Sequence, residues 1–225
     1  MTKLTASLSK ESAYYNFVRE SDAFSANVLL QLLNQRVAVK NFKRGVPLPV
    51  ADLEKILNLS SLVPSAFNLQ PWHVINVSST FLRKEVWKMA WQQPQVIDAS
   101  ALLAIGVDTK PWLREKIRGS YAETDEDESR YRNMLEKLYG SNEKYARDEA
   151  MRSASIFSMG LILAAESLGY QTCPMSGFDY SKVSDVLGLG GDIELCMLIA
   201  VGTTEGKVEV NQKSRVPAAE FFQTL

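Results

Sequence analysis

Two runs of nine residues contain almost no polar side chain, and they constrain the fold of this chain more than any other feature. Residues 100–108 read SALLAIGVD and residues 194–202 read ELCMLIAVG. A strand with one face in water alternates apolar and polar residues, whereas an unbroken apolar run is typical of a strand that is covered on both faces. The first run therefore predicts such a strand, and the second is the clearest buried strand of the chain.

Apolar spacing and β-branched content predict the remaining elements. Helices are predicted from a Ser21 or Asp22 cap to about Arg36, from Val50 to a stop at Pro64, around residues 131–139, over Met151–Leu168 and over Tyr180–Leu187. A strand is predicted over residues 72–79, and residues 172–179 are predicted to form a short strand and a turn. The 151–168 helix is apolar nearly all round, so it should be central and buried, with part of it available to another subunit. Because helices and strands mix without regular βαβ alternation, the sequence favours an α+β fold.

Composition excludes several classes of protein. The 225 residues allow one or two domains, and 46% hydrophobic with 23% charged residues is typical of a globular chain and wrong for a disordered one. The 25 Lys and Arg nearly balance the 26 Asp and Glu, which argues against nucleic-acid binding and against a polybasic membrane surface. The longest apolar run, residues 156–165, is far shorter than the roughly twenty residues of a membrane span.

The cysteine and histidine content predicts no disulfide scaffold and no metal site. Cys173 and Cys196 are too few for a disulfide-stapled secreted domain, and with the lone His73 they are too few for structural zinc. The first residues carry no apolar segment of the kind found in secretory signals. We therefore expect a cytoplasmic protein with reduced thiols.

The charge pattern suggests how the chain is organised. Residues 1–20 are predicted to be a polar N-terminal extension, and residues 21–225 a single domain with a helical, charged excursion at about 112–140. The acidic run at 123–128 is predicted to be a solvated loop or an exposed helix end.

Several common catalytic motifs are absent from the sequence. One histidine and no G-x-S-x-G argue against a Ser-His-Asp hydrolase, and there is no P-loop. His73 is predicted to be a packed, hydrogen-bonded core residue. The segment Gly188–Gly191 lacks the third spaced glycine of a dinucleotide fingerprint, so it is predicted to be a turn.

Four segments remain as candidates for a binding site. Arg36 and Lys40 are four residues apart and could clamp an anion, and residues 213–215 form a second cationic cluster. Taken alone, each cluster is typical of ordinary surface charge. Residues 64–72 form a loop with a proline near each end. The Ser, Asn and Gln side chains of this loop suit hydrogen bonding to a flat polar ring. Residues 173–177 offer backbone N–H groups at a glycine turn, which can point at a developing negative charge.

Taken together, these segments resemble the nitroreductase family of FMN-dependent oxidoreductases, from about Leu29 to Pro217. The resemblance rests on four motifs in order: R-x-x-x-K followed by Phe at 36–42, P-S-A-x-N-x-Q-P-W at 64–72, A-A-x-x-L-G at 164–169 running into C-P-M-S-G-F-D at 173–179, and K-S-R-x-P at 213–217. Each motif is weak alone, but four in the right order and spacing are specific together.

The resemblance implies a three-layer α+β sandwich, with a central, mostly antiparallel sheet flanked by helices, in an intertwined homodimer that binds FMN at the subunit interface. It implies cofactor-binding roles for Arg36, Val37, Ala38, Lys40, Pro64, Ser65, Asn68, Gln92, Gln95, Pro174, Met175, Ser176, Gly177, Lys213 and Arg215. Arg36, Lys213 and Arg215 would hold the phosphate, where guanidinium forks suit phosphate oxygens. Ser65 and Asn68 would come from the partner subunit.

The implied activity is hydride transfer from NAD(P)H, through flavin N5, to electron-poor acceptors such as nitroaromatics or quinones. No catalytic side chain is implied, and the N–H groups of Ser176 and Gly177 would assist at N5 and O4. This chain has Ala38 where the family often has Ser, Gln95 where some members have Lys, and Ser176 where some have Glu. Three alternatives remain open: other FMN chemistry, such as enone reduction or dehalogenation; a flavin-binding protein without turnover; and a helical interaction module.

Overall fold

The computed structural model describes residues 23–117, 124–206 and 213–225. The chain divides into two compact units, Met1–Arg36 with Val210–Leu225, and Val37–Glu209. The predicted extension over residues 1–20 and the predicted caps Ser21 and Asp22 lie outside the described residues. The single domain predicted over 21–225 stays a prediction.

The larger unit is built on one antiparallel sheet. Its strands are β1 (Trp72–Asn76), β2 (Ala101–Asp108), β3 (Gln171–Met175) and β4 (Ile193–Gly202), in the order β1-β2-β4-β3. The two apolar runs form the two central strands, and every residue of β2 is buried. This confirms the prediction of a strand covered on both faces.

Eight α-helices are described. They are α1 (Ala23–Gln35), α2 (Val50–Ser60), α3 (Thr80–Met89), α4 (Pro94–Asp98), α5 (Asp125–Tyr139), α6 (Glu143–Ser167), α7 (Tyr180–Val186) and α8 (Ala218–Phe221). Helices α1 and α8 belong to the smaller unit, and α2 to α7 belong to the larger one.

Helices cover both faces of the sheet because successive side chains of a strand point to opposite sides. On β2, Leu102 and Ala104 pack in one apolar cluster with side chains of α3, α4 and α7. Leu103, Ile105 and Val107 pack in the other with side chains of α2 and α6. The result is the predicted α+β sandwich of three layers.

Five helices differ from the sequence prediction. Helix α6 begins at Glu143, eight residues before the predicted start, where the Asn142 side chain caps it by accepting a hydrogen bond from Tyr145 N. Helices α3, α4 and α8 were not predicted, and α5 begins at Asp125, six residues before the predicted start. The acidic residues from Asp125 onward form the first turn of α5, where the positive end of the helix dipole stabilises them, and Thr124 caps that turn.

The prediction for His73 is wrong. It lies on β1, an edge strand, and its side chain is exposed rather than packed in the core. Alternation along the strand buries the neighbouring Trp72 instead, whose ring stacks on Phe157 of α6 at 4.9 Å. Among the described residues, no helix is long and apolar enough to cross a membrane, and no group of three or more His, Cys, Asp or Glu could hold a metal ion.

Candidate functional site

The segment that follows Arg36 runs alongside β3. Ala38 forms a parallel bridge with Thr172, and Val39 N donates a hydrogen bond to Thr172 O at 3.0 Å. Val39 is buried against the sheet, and Lys40 is exposed. Burial raises the pKa of the Cys173 thiol above its ordinary value, and the charge of Lys40 partly opposes this rise, so the ammonium group lies near β3.

The α3–α4 loop (residues 90–93) contacts the β3–α7 loop (residues 176–179) at several points. Asp179 N donates to Met89 O at 3.0 Å, and Gln93 Nε2 donates to Gly177 O at 2.8 Å. A Cβ atom placed on Gly177 would lie 2.6 Å from Cζ3 of Trp91, so the indole packs directly on this glycine. Any larger residue at Gly177 would push the indole away.

Gln95 joins the same group of contacts from α4. Its side chain is almost fully buried, and its Nε2 donates to Gln93 Oε1 at 2.9 Å and to Met175 Sδ at 3.3 Å. Its Oε1 is buried and accepts no hydrogen bond from the described residues. Within the described parts of the chain, the N–H groups of Ser176 and Gly177 also donate none. Helix α4 and the β3–α7 loop thus each carry polar groups that form no hydrogen bond within the described residues.

Strained backbone is concentrated in the two loops that carry predicted site residues. Among the described residues, five that are not glycine have a positive φ: Phe67 (51°), Asn68 (52°), Gln70 (47°), Trp91 (52°) and Gln92 (57°). Each such residue costs about 1–2 kcal/mol relative to ordinary backbone. Strain of this kind collects at functional sites, where the surrounding structure maintains it.

The loop over residues 64–68 packs in a different layer from β3. Phe67 O accepts a hydrogen bond from Tyr131 Oη of α5 at 2.7 Å, and its ring meets Tyr139 edge to face. Ser65 Oγ accepts from Gln70 N at 3.0 Å, which stabilises the turn. Within one subunit, these contacts hold the loop against α5, while Lys40, Gln95 and Met175 cluster around β3.

The remaining predicted residues belong to the smaller unit. Arg36 follows α1 and is half-buried, whereas Lys213 and Arg215 are exposed. Arg215 Nη1 donates to the backbone oxygens of Lys213 and Ser214 at 2.8 and 3.2 Å. In the described ranges, none of these three cations, nor Lys40, forms an ion pair with a carboxylate. No carboxylate of the described residues therefore neutralises the charge of any of these four side chains.

A cavity of about 440 Å³ lies elsewhere, between α5, α6, the segment that follows β2 and the start of β4, and no predicted site residue lines it. Its cations are already paired: Lys110 lies 3.4 Å from Glu143 and 3.3 Å from Asp192, and Arg147 lies 2.7 Å from Glu194. Because these pairs neutralise the lining, the cavity offers no free positive charge to a phosphate.

Residues 37–40, 91–95 and 173–177 lie together and are called the β3 cluster below. Sequence reasoning missed two of its residues, Trp91 and Gln93. Both lie between α3 and α4, which were not predicted, and the partner of both is Gly177, more than eighty positions away. The Q-Q-P-Q run at 92–95 was the available signal, since Gln93 lies between Gln92 and Gln95, which the resemblance assigns to the cofactor.

The sequence and the structure of this chain were both found to be similar to known proteins. The sequence model of the Nitroreductase family matches residues 33–203. DrgA of Synechocystis is 30% identical over 84% of this chain and 91% of its own length. An oxygen-insensitive NADPH nitroreductase of Helicobacter acinonychis is 28% identical over 83% of this chain and 91% of its own. An enone reductase of conjugated linoleic acid (CLA) biosynthesis from Lactiplantibacillus plantarum is 27% identical over 72% and 79%.

Solved structures show the same fold. A Staphylococcus epidermidis protein, named as a candidate NAD(P)H:FMN oxidoreductase, superimposes with a TM-score of 0.79 at 25% identity, covering 87% of this chain and 95% of its own. The structure of an enone reductase of gut-bacterial fatty acid saturation superimposes with a TM-score of 0.75 at 26% identity, covering 89% and 97%. The family model spans about three quarters of the sequence, and the likeness in fold extends over nearly all of it. This chain belongs to the nitroreductase family.

Proposed function

We propose that this protein is an FMN-dependent oxidoreductase that takes hydride from NAD(P)H and reduces electron-poor acceptors such as nitroaromatics or quinones. The observation that carries the proposal is the cluster at β3. Three separate segments, 37–40, 92–95 and 173–177, lie together there, and the family resemblance assigns each of them to the flavin. The names of the Helicobacter nitroreductase and of the Staphylococcus protein support the nicotinamide and the flavin.

The residues present fit FMN. The oxidised flavin ring offers both acceptor atoms and one N–H, and the cluster offers free backbone N–H groups on Ser176 and Gly177 together with the free Oε1 of Gln95. In the proposal, Lys40, Gln92 and Gln95 face the pyrimidine edge, and Pro174 and Met175 pack on one face of the ring. Arg36, Lys213 and Arg215 hold the phosphate, and the family resemblance also assigns Val37 and Ala38 to the cofactor. Each charged hydrogen bond to the phosphate contributes about 1.5–3 kcal/mol.

Bound FMN supplies the redox chemistry, accepting hydride from the nicotinamide and passing it to the acceptor. The protein positions groups around this chemistry and needs no nucleophilic side chain. The Lys40 ammonium places positive charge where the added electrons collect. Buried Met175 and Phe178 keep water from the inner side of the site. The helical excursion near α5 would help to select the acceptor.

We further propose that the site is completed by a second subunit. In the proposal, Pro64, Ser65 and Asn68 reach the flavin of the partner, which agrees with their loop packing against α5 and not against β3. Apolar side chains are exposed on α6, with Ile156 at 44% and Met159 at 38%, and a subunit interface would cover them. Light scattering at low concentration should show a dimer; a monomer that keeps its FMN would contradict this.

The experiment that tests the function is an acceptor panel. The protein is loaded with FMN, freed of excess by gel filtration and mixed with NADH or NADPH and a nitrofuran, a quinone or an enone. The proposal predicts nicotinamide oxidation that depends on a nitro or quinone acceptor. A loaded protein that oxidises no nicotinamide with any acceptor would instead be a flavin-binding protein without turnover.

Enone reduction is the second candidate, because a relative with that activity in its name matches both in sequence and in fold. Turnover with the enone alone would favour it. The proposed setting is the cytoplasm, which agrees with Cys173 and Cys196 both being free thiols.

A further inference from the structure

We propose that Gln93 is a positioning residue, which fixes the hydrogen-bonding polarity of the β3 cluster through a relay of amide hydrogen bonds. Gln93 is not among the residues that the proposed function assigns to the cofactor. The inference rests on that function, since it concerns how the cluster is arranged for FMN.

The relay starts at a backbone carbonyl. Gly177 O can only accept a hydrogen bond, so the Gln93 side chain must turn its nitrogen toward it, at 2.8 Å. Its oxygen then faces Gln95 and accepts from Gln95 Nε2 at 2.9 Å. The orientation of both amides therefore follows from one fixed acceptor.

The relay determines which atom of the Gln95 amide is left without a hydrogen-bond partner. Its nitrogen is committed to Gln93 Oε1 and to Met175 Sδ at 3.3 Å, so the group left over is the acceptor Oε1. That atom is buried and has no partner in the described residues. Reversing the Gln93 amide would place two nitrogens face to face and leave Gly177 O without a donor.

The consequence for Gly177 is a defined backbone conformation. Glycine has no Cβ and would otherwise sample many conformations. Here Gln93 holds its carbonyl, and the Trp91 ring packs against its Cα. The adjacent N–H groups of Ser176 and Gly177, which the proposed function assigns to the flavin, are thereby held in one arrangement.

The test uses Gln93→Glu, because a carboxyl group has the shape of the amide and its donor can be removed with pH. The neutral acid can donate to Gly177 O and accept from Gln95, whereas the carboxylate cannot donate. Glutamate has an ordinary pKa of about 4.3; partial burial and the Gly177 carbonyl raise the pKa, and the hydrogen bond from Gln95 Nε2 opposes part of this rise. FMN dissociation constants are measured by flavin fluorescence at about pH 5 and about pH 8, each relative to wild type at the same pH.

We expect Gln93→Glu to bind FMN about tenfold more weakly than wild type at the higher pH, and within about threefold at the lower pH. The midpoint potential of its bound FMN should fall by about 30 mV at the higher pH, which is a tenfold weaker preference for the reduced form in a two-electron couple. Gln93→Ala, which has no donor at any pH, should bind about fivefold more weakly at both values. It also keeps the test decisive if the glutamate variant does not fold.

The matched control is Gln171→Glu. Gln171 Nε2 also donates to a glycine carbonyl, Gly169 O at 3.3 Å, but at the start of β3 and outside the cluster. This variant should match wild type in affinity and potential at both pH values. If the Gln93 variants lose only thermal stability while affinity and potential stay at wild-type values, the positioning role is refuted. If wild type itself fails to bind FMN, the proposed function is refuted first.

Discussion

The strained backbone at Gln92 allows a quantitative test of the proposed site. Its φ of 57° lies in the left-handed region, which costs a residue with a Cβ about 1–2 kcal/mol. Glycine escapes that cost but loses about 0.5–1 kcal/mol through its greater freedom in the unfolded chain. Gln92→Gly should therefore be more stable than Gln92→Ala by about 0.5–1 kcal/mol, the reverse of the order at ordinary positions.

The two variants control for each other, because both remove the amide and they differ only in the Cβ atom. Urea unfolding of the FMN-free proteins measures the free-energy difference, which corresponds to a rise in Tm of about 2–4 °C per kcal/mol in a chain of this size. FMN affinity should fall equally in both, by about fivefold, because each loses the same hydrogen bond. An alanine variant as stable as the glycine variant would show that the loop does not hold a positive φ, and the argument from strain would fail.

Three further results are expected. Burial, and then the charge of Glu149, raise the pKa of Tyr139 from 10 to about 12, so the neutral tyrosine stabilises the fold fully below about pH 10. About 2 kcal/mol of this stability should be lost between pH 10 and pH 12. Urea unfolding should show a smaller loss over that range for Tyr139→Phe. Arg36→Ala and Arg215→Ala should each weaken FMN binding about tenfold, which is about 1.4 kcal/mol. Unchanged flavin content after gel filtration would show that these two arginines do not hold the FMN phosphate. Phe157→Ala removes the ring that stacks on Trp72 and should cost about 3–5 kcal/mol in urea unfolding; a loss below 1 kcal/mol would contradict the packing between α6 and the sheet.

The central strands could be predicted because their signal is local. An unbroken apolar run can be recognised in β2 and β4 without knowing their neighbours. Helix α3 gives no such signal: Val86 is fully buried while Phe81 of the same helix is 71% exposed. The first turns of α6 were missed because their buried residues are alanines, which carry little apolar surface.

The candidate site could be predicted only as separate pieces. The motifs at 36–40, 64–72 and 173–177 pointed to a family, and the family model confirms that identification. The hydrogen bond from Gln93 to Gly177 joins residues 84 positions apart, so no spacing rule could supply it. The exposure of His73 depends on β1 being an edge strand, which is likewise a property of the assembled sheet.

The most direct test of the account is reconstitution with FMN followed by reduction. The purified protein is incubated with FMN, passed over gel filtration, and titrated with NADH or NADPH without oxygen while the flavin absorbance is followed. The account predicts a yellow protein with FMN stoichiometric with the chain, bleached by the nicotinamide and restored by a nitroaromatic or quinone. A protein that leaves the column colourless would contradict it.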